Sequence, residues 1–149
     1  MSHEERNTVA QILAGIMVNI YVIRKLQNMY ADGRLVGDET IQVWAQAMLW
    51  VIPIGIAAVI ATTILFNILH AIVTNTPKPS FLVDERDHAI SRFGMQITMV
   101  ISSIGLIGMV IALAMGTDTL KSLIGLWFAF AAASLFGDFG KLIRYRRGY

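Results

Sequence analysis

The chain has 149 residues and no cysteine; 56% of its residues are hydrophobic and only 15% carry a formal charge. Because soluble domains hold about 25% charged residues, this composition excludes a soluble enzyme and a nucleic-acid-binding domain, so no nucleic-acid partner is expected. The absence of cysteine excludes a disulfide scaffold and thiol chemistry.

Charged residues are confined to short segments of the chain. No Asp, Glu, Lys or Arg occurs in residues 7–23, 40–77, 93–117 or 122–137. A helix needs roughly 20 mainly apolar residues to cross the hydrocarbon core of a bilayer, so each interval predicts one span. The predicted fold class is all-α integral membrane, with four transmembrane helices arranged as two hairpins in a single domain, residues 1–149.

The spans follow from these intervals and their flanking polar residues. In chain order they are predicted at about residues 8–30, 43–73, 88–115 and 120–141, with a cytoplasmic loop at residues 74–87 and a basic tail at residues 141–149. Pro53 lies inside the second span and predicts a kink, because proline removes a helical hydrogen bond. Gly116 marks the expected end of the third helix.

The distribution of Lys and Arg predicts the orientation. One side of the membrane would hold eight of these residues: Arg6, Lys78, Arg86, Arg92, Lys141, Arg144, Arg146 and Arg147. The other side would hold four: Arg24, Lys25, Arg34 and Lys121. The positive-inside rule therefore places both termini in the cytoplasm.

The two halves of the chain share a layout. Glu4-Glu5-Arg6-Asn7 and Asp84-Glu85-Arg86-Asp87 each precede an apolar helix, a turn and a second helix. A duplicated two-span unit keeps its orientation, so its pseudo-symmetry axis would run along the membrane normal, unlike that of inverted-repeat transporters. Chance similarity between two interfacial charge clusters is the alternative.

Small residues recur at four-residue spacing in the last two spans. They are Gly108, Ala112 and Gly116 in the third span and Ala129, Ala133 and Gly137 in the fourth. Close backbone approach supports helix association in lipid, so we expect the third span to pack on the fourth through these residues. A homo-oligomer seam is the alternative.

The densest ionisable cluster is Asp84-Glu85-Arg86-Asp87, followed by His88. Its carboxylates and imidazole could bind a cation, but a mixture of acids with arginine is a poor metal site. We therefore predict an interfacial anchor in which Asp84 or Asp87 caps the third helix.

The stretch Asp84-Glu85-Arg86-Asp87-His88-Ala89-Ile90, directly followed by a long apolar helix, resembles the box found in small uncharacterised bacterial membrane proteins of the DUF2178 type. The present chain differs from them in its extended N-terminal half. The resemblance implies a small bacterial inner-membrane protein, and it carries over no catalytic residue.

Histidines and uncharged polar residues supply two further candidate sites. His70 and His88 flank the middle loop and could ligate haem or another metal from two helices, although no attachment motif accompanies them and no cofactor is expected. Asn19, Gln96, Ser102 and Ser103 could line a polar path, or they could be used in helix packing.

The tail residues Lys141, Arg144, Arg146 and Arg147 are predicted to face anionic lipid, which attracts each basic side chain by about 1 kcal/mol. The leading functional hypothesis is a non-enzymatic scaffold or regulatory or accessory subunit in the bacterial inner membrane, whose partners are the bilayer and a membrane protein or a second copy of the chain. A small oligomeric transporter or channel is the first alternative, and a haem- or quinone-binding subunit is the second.

Overall fold

Four long helices make up the protein. The computed structural model describes residues 3–74 and 84–147, which form α1 (His3–Ala31), α2 (Thr40–Thr74), α3 (Glu85–Ala114) and α4 (Thr119–Arg147). All four helices are long and apolar enough to cross a membrane, and the described ranges contain no strand. The prediction of an all-α multi-pass membrane protein with four spans is confirmed.

The helices are longer than the predicted spans. They contain 29 to 35 residues, or at least about 43 Å at 1.5 Å per residue, whereas the hydrocarbon core is about 30 Å thick. Their ends therefore project beyond the hydrocarbon. Pro53 lies inside α2, and the tail expected after residue 141 continues α4 to Arg147. Residues 75–83, which make up most of the predicted loop at residues 74–87, lie outside the described residues.

The first helix of each hairpin ends at a glycine with positive φ. Gly33 (φ 67°) follows α1 and Gly116 (φ 80°) follows α3. The next residue in each turn, Arg34 or Thr117, donates its backbone N–H to a carbonyl five residues back, which is the Schellman arrangement. The two hairpins therefore share the geometry of this turn as well as the acidic residues at their starts.

The helices pack in the order α2, α1, α4, α3. The contact between α3 and α4 is the most extensive, and α1 packs on both α2 and α4. Within the described residues, α2 and α3 touch at most marginally. A two-fold axis along the membrane normal would pair the α1–α4 contact with an equivalent α2–α3 contact, so the observed packing departs from the symmetry of the predicted repeat.

A hydrophobic core fills one half of this assembly. Its buried residues come from α1, α2, the first turn and α4: Val22, Leu26, Met29, Leu35, Met48, Val51 and Leu120. We call this half the loop end, because it adjoins the turns at residues 32–39 and 115–118. The opposite half, where α1 and α3 begin and α2 and α4 end, is called the charged end.

Candidate functional site

A cavity of about 700 Å³ opens between the helices toward the charged end. All four helices contribute to its wall, including α2 and α3, which are almost separate from each other. Its polar lining consists of Gln11, Asn19, Thr98, Ser134, Asp138 and Lys141. The cavity is therefore a cleft, and its open side lies between α2 and α3.

An ion pair marks the charged end of the cleft. The Lys141 Nζ atom lies 2.9 Å from the Asp138 Oδ1 atom, and the two side chains are only 22% and 11% exposed. Their three-residue spacing places them on one face of α4. The aliphatic stem of Lys141 passes over Gly94 of α3, where a Cβ atom would come within 2.5 Å of it. A side chain at position 94 would thus compete with Lys141 for space.

The other end of the cleft is apolar. Trp127 lines the cleft and also packs against the hydrophobic core at the loop end. Val18, Gly55 and Val59 line the cleft and also an adjoining groove of about 430 Å³ along α2. The rest of the wall of that groove consists of Trp127 of α4 and four aliphatic residues of α2: Val51, Ile52, Ile56 and Ile60. The cleft therefore changes from charged to apolar as it enters the membrane-spanning region.

Small residues bring α3 and α4 together beside the cleft. A Cβ on Gly137 would come within 2.8 Å of the Gly94 carbonyl oxygen, and a Cβ on Gly105 would meet the Ala129 side chain at 2.5 Å. The Thr98 hydroxyl lies within donor distance of two carbonyl oxygens, that of Gly94 in its own helix at 3.1 Å and that of Ala133 at 3.3 Å. The three small residues predicted on α4 thus face α3.

The stripe predicted on α3 is corrected. A Cβ on Gly108 would meet no described atom within 4 Å, and Gly116 terminates α3 with positive φ; only Ala112 is half-buried. Residues four apart drift by about 40° around a helix with 3.6 residues per turn. The contact instead uses Gly94, Thr98 and Gly105, whose spacing of four and seven follows the facing helix.

The predicted polar path is not formed as a unit. Asn19 lines the cleft, where its side-chain amide donates to the Gly15 carbonyl at 2.8 Å. Gln96 and Ser103 are exposed on α3, and the Ser103 hydroxyl donates to the Met99 carbonyl of its own helix. Ser102 is half-buried on α3 and does not line the cleft. Of the four residues, only Asn19 reaches the cleft.

The acidic box forms the start of α3. The Asp84 carboxylate accepts from the Glu85 N–H at 2.7 Å, and the Asp87 carboxylate accepts from the Asp84 N–H at 3.3 Å. Together with the bond from the Asp87 N–H to the Asp84 side chain, these contacts make a capping box. The predicted use of these two carboxylates as helix caps is therefore observed, with Asp87 92% buried.

The end of α4 is joined to this cap. Tyr145 lies beyond the apolar part of α4, and its phenol donates a hydrogen bond to the Asp87 carboxylate. Burial raises the pKa of the Tyr145 phenol above its ordinary value, and the hydrogen bond to Asp87 raises it further, so the phenol remains protonated and donates this bond. The Arg86 guanidinium also donates to the Tyr145 carbonyl at 3.3 Å.

The basic tail is divided between two environments. Lys141 turns inward to Asp138, and the Arg144 guanidinium lies 3.7 Å from the centre of the Phe93 ring. Arg146 and Arg147 are exposed. The prediction that all four basic residues face lipid is therefore corrected for Lys141, whose burial is explained by the carboxylate three residues earlier.

The histidines lie on the two helices that border the open side of the cleft. His70 is half-buried in α2, and His88 is exposed in the first turn of α3. Since α2 and α3 touch at most marginally over the described residues, no helix packing fixes the two imidazoles as a ligand pair. Residues 3–74 and 84–147 contain no group of three or more His, Cys, Asp or Glu side chains that could hold a metal.

Several residues of the cleft, notably Gln11, Thr98 and Trp127, were not predicted from the sequence. They come from three helices and share no pattern along the chain. The available signal was the Asp138–Lys141 pair, because two charges at the end of an apolar span indicate either an interface or a site. No family model matches the chain, and no curated protein or solved structure was found to be similar to it.

Proposed function

We propose that this four-span protein is a non-enzymatic scaffold or accessory subunit of a bacterial inner membrane, with its charged end in the cytoplasm. The observation that carries the proposal is the interlocked charged end, which leaves Arg146 and Arg147 exposed at the end of α4 and Glu85 exposed at the start of α3. We call these three residues the charged platform. A rigid platform loses little conformational freedom when it binds a partner.

Three contacts support the rigidity of the platform. The capping box fixes the start of α3, the Arg86 guanidinium binds the end of α4, and Arg144 stacks on Phe93. Arg146 and Arg147 follow directly on this anchored part of α4, and Glu85 lies within the capping box. The platform thus consists of an exposed carboxylate at the start of one helix and two exposed guanidinium groups at the end of another.

Charge also supports the orientation and the membrane. Of the eleven Lys and Arg residues in the described ranges, seven fall on the side of the charged end, as the positive-inside rule requires for a cytoplasmic face. The anionic lipids of that leaflet attract exposed arginines. The bacterial assignment rests on the resemblance of the Asp84-Glu85-Arg86-Asp87 box to DUF2178-type proteins.

Three carboxylates near the charged end are engaged in structural contacts, and this favours a non-enzymatic role. The carboxylates of Asp84 and Asp87 accept helix-capping hydrogen bonds, and that of Asp138 pairs with Lys141. Transport receives less support, because the cleft ends at Trp127 against the hydrophobic core and the predicted polar residues of α3 lie outside its wall.

Native mass spectrometry of the full chain, extracted with its native lipids, tests the platform. We expect wild type to carry an additional protein, either a membrane partner or a second copy. The double variant R146Q/R147Q should lower the bound fraction by about tenfold, the equivalent of 1.4 kcal/mol. The matched control R24Q/R34Q removes two exposed arginines from the loop end and should leave the bound fraction unchanged. A solitary wild-type monomer, or equal binding by both double variants, would overturn the proposal.

A further inference from the structure

We propose that the cleft binds one phospholipid from the leaflet at the charged end, and that it selects a zwitterionic head group carrying a primary ammonium. The lipid head would lie at Asp138 and Lys141, and one acyl chain would extend toward Trp127. This inference is independent of the proposed scaffold role, because the platform and the cleft use different residues.

The open side of the cleft gives a lipid direct access. The wall includes Val59 of α2 and Met95 of α3, yet these helices touch at most marginally over the described residues. An acyl chain can therefore enter sideways from the bilayer between α2 and α3. The apolar groove along α2 continues from the cleft and offers a surface for the same or the second chain.

The depth of the cleft matches one leaflet. Asp138 follows Trp127 by eleven positions on α4, which corresponds to about 16 Å at 1.5 Å per residue. Half of a hydrocarbon core of about 30 Å is about 15 Å. A chain anchored at the ion pair would thus reach the closed end of the cleft at Trp127, near the middle of the bilayer.

The ion pair explains the choice of head group. The Lys141 ammonium can bind a lipid phosphate, and the Asp138 carboxylate can accept hydrogen bonds from a primary ammonium. A quaternary choline has no N–H to donate, and an anionic glycerol head places no cation beside Asp138. A phosphoethanolamine head complements both charges, and the amide of Gln11 and the hydroxyl of Ser134, which also line the cleft, add polar contacts.

Lipid competition on the purified full chain tests the proposal. The protein is exchanged into nanodiscs containing equal amounts of phosphatidylethanolamine, phosphatidylcholine and phosphatidylglycerol with identical acyl chains, then released and weighed by native mass spectrometry. We expect one retained phosphatidylethanolamine, preferred by about tenfold over each competitor, because its head group alone among the three carries an ammonium that can donate hydrogen bonds to the Asp138 carboxylate. D138N should abolish the preference over phosphatidylcholine, and K141M should lower total retention.

Two further variants keep the test decisive if the charge variants fold poorly. V59F fills the apolar end from α2 and should reduce retention of every lipid, whereas S103A, outside the cleft, should behave as wild type. Equal retention of the three lipids by wild type would show annular lipid only and would overturn the proposal. A preference that persists in folded D138N and V59F, or a second copy of the chain occupying the cleft in place of lipid, would overturn it as well.

Discussion

The carbonyl oxygen of Gly94 in α3 lies 2.8 Å from the position that a Cβ atom would take on Gly137 in α4. The two backbones are therefore in direct contact, with the Thr98 hydroxyl close to the carbonyl of Ala133 on the facing helix. Close packing of this kind stabilises helix pairs in lipid, where burial of apolar surface contributes little. It also fixes one wall of the cleft, because Gly94 leaves room for Lys141.

Gly137→Ala should destabilise the α3–α4 pair, because the added Cβ would overlap both Thr98 and the Gly94 carbonyl. We expect a loss of about 1–3 kcal/mol, the usual cost of overpacking. Unfolding in mixed micelles, followed by circular dichroism, measures the effect. Gly108→Ala is the control, since its Cβ meets no described atom within 4 Å. Equal stability of the two variants would place the helix contact elsewhere.

Asp87→Ala should weaken the charged end, because it removes the acceptor for both the Asp84 N–H and the Tyr145 phenol. The expected loss is about 1–3 kcal/mol, as for other buried groups left without a partner. The exposed neighbour Glu85→Ala should change the free energy of unfolding by no more than about 0.5 kcal/mol. The same unfolding assay applies, and a larger effect at Glu85 than at Asp87 would contradict the observed capping box.

Gly116→Ala tests whether this glycine terminates α3 or packs against α4. At φ 80° an alanine is strained by about 1–2 kcal/mol, so thermal stability should fall. Gly125→Ala, in the interior of α4 with no described atom within 4 Å of its added Cβ, should be neutral or slightly stabilising. An unchanged thermal stability of Gly116→Ala would contradict the Schellman turn at the end of α3.

Single cysteines test the orientation cleanly, because the chain has none of its own. Val36→Cys lies in the first turn, where Val36 is 81% exposed, and Glu85→Cys lies at the charged end. In intact cells, a membrane-impermeant maleimide should label Val36→Cys only, and it should reach Glu85→Cys after the membrane is opened. The reverse pattern would place the charged end outside the cell.

The helices were predictable because burial in lipid demands long intervals without charge. The ends of the helices were not predictable, because local capping decides whether the residues beyond the hydrocarbon continue the helix or end it. Asp84 gave a usable signal for the start of α3, and the structure shows it as the N-cap. Arg147, by contrast, extends α4 well past the predicted span.

The interhelical geometry was only partly predictable. Regular spacing identified small residues on α4 that do face α3, but on α3 the same rule selected Gly108 and Gly116. A helix in contact with another at an angle uses mixed spacings of three and four, and the sequence does not state the crossing angle. The cleft was missed for a related reason, since Gln11 of α1, Thr98 of α3 and Lys141 of α4 come to line one cavity only after the helices pack.

Disulfide cross-linking measures the central feature, the separation of α2 from α3 along the cleft, most directly. Val59→Cys/Met95→Cys places one thiol on each side of the opening. The control pair Gly15→Cys/Leu135→Cys lies across the α1–α4 contact, where an added Cβ on Gly15 would be 3.2 Å from the Leu135 Cδ2 atom, so the two side chains touch. A disulfide needs Cβ atoms about 3.5–4.5 Å apart. In native membranes, we expect rapid oxidation of the control pair, and linkage of the cleft pair only by a reagent with a spacer. Direct disulfide formation by the cleft pair within one chain, as fast as in the control, would show a closed bundle and contradict the account.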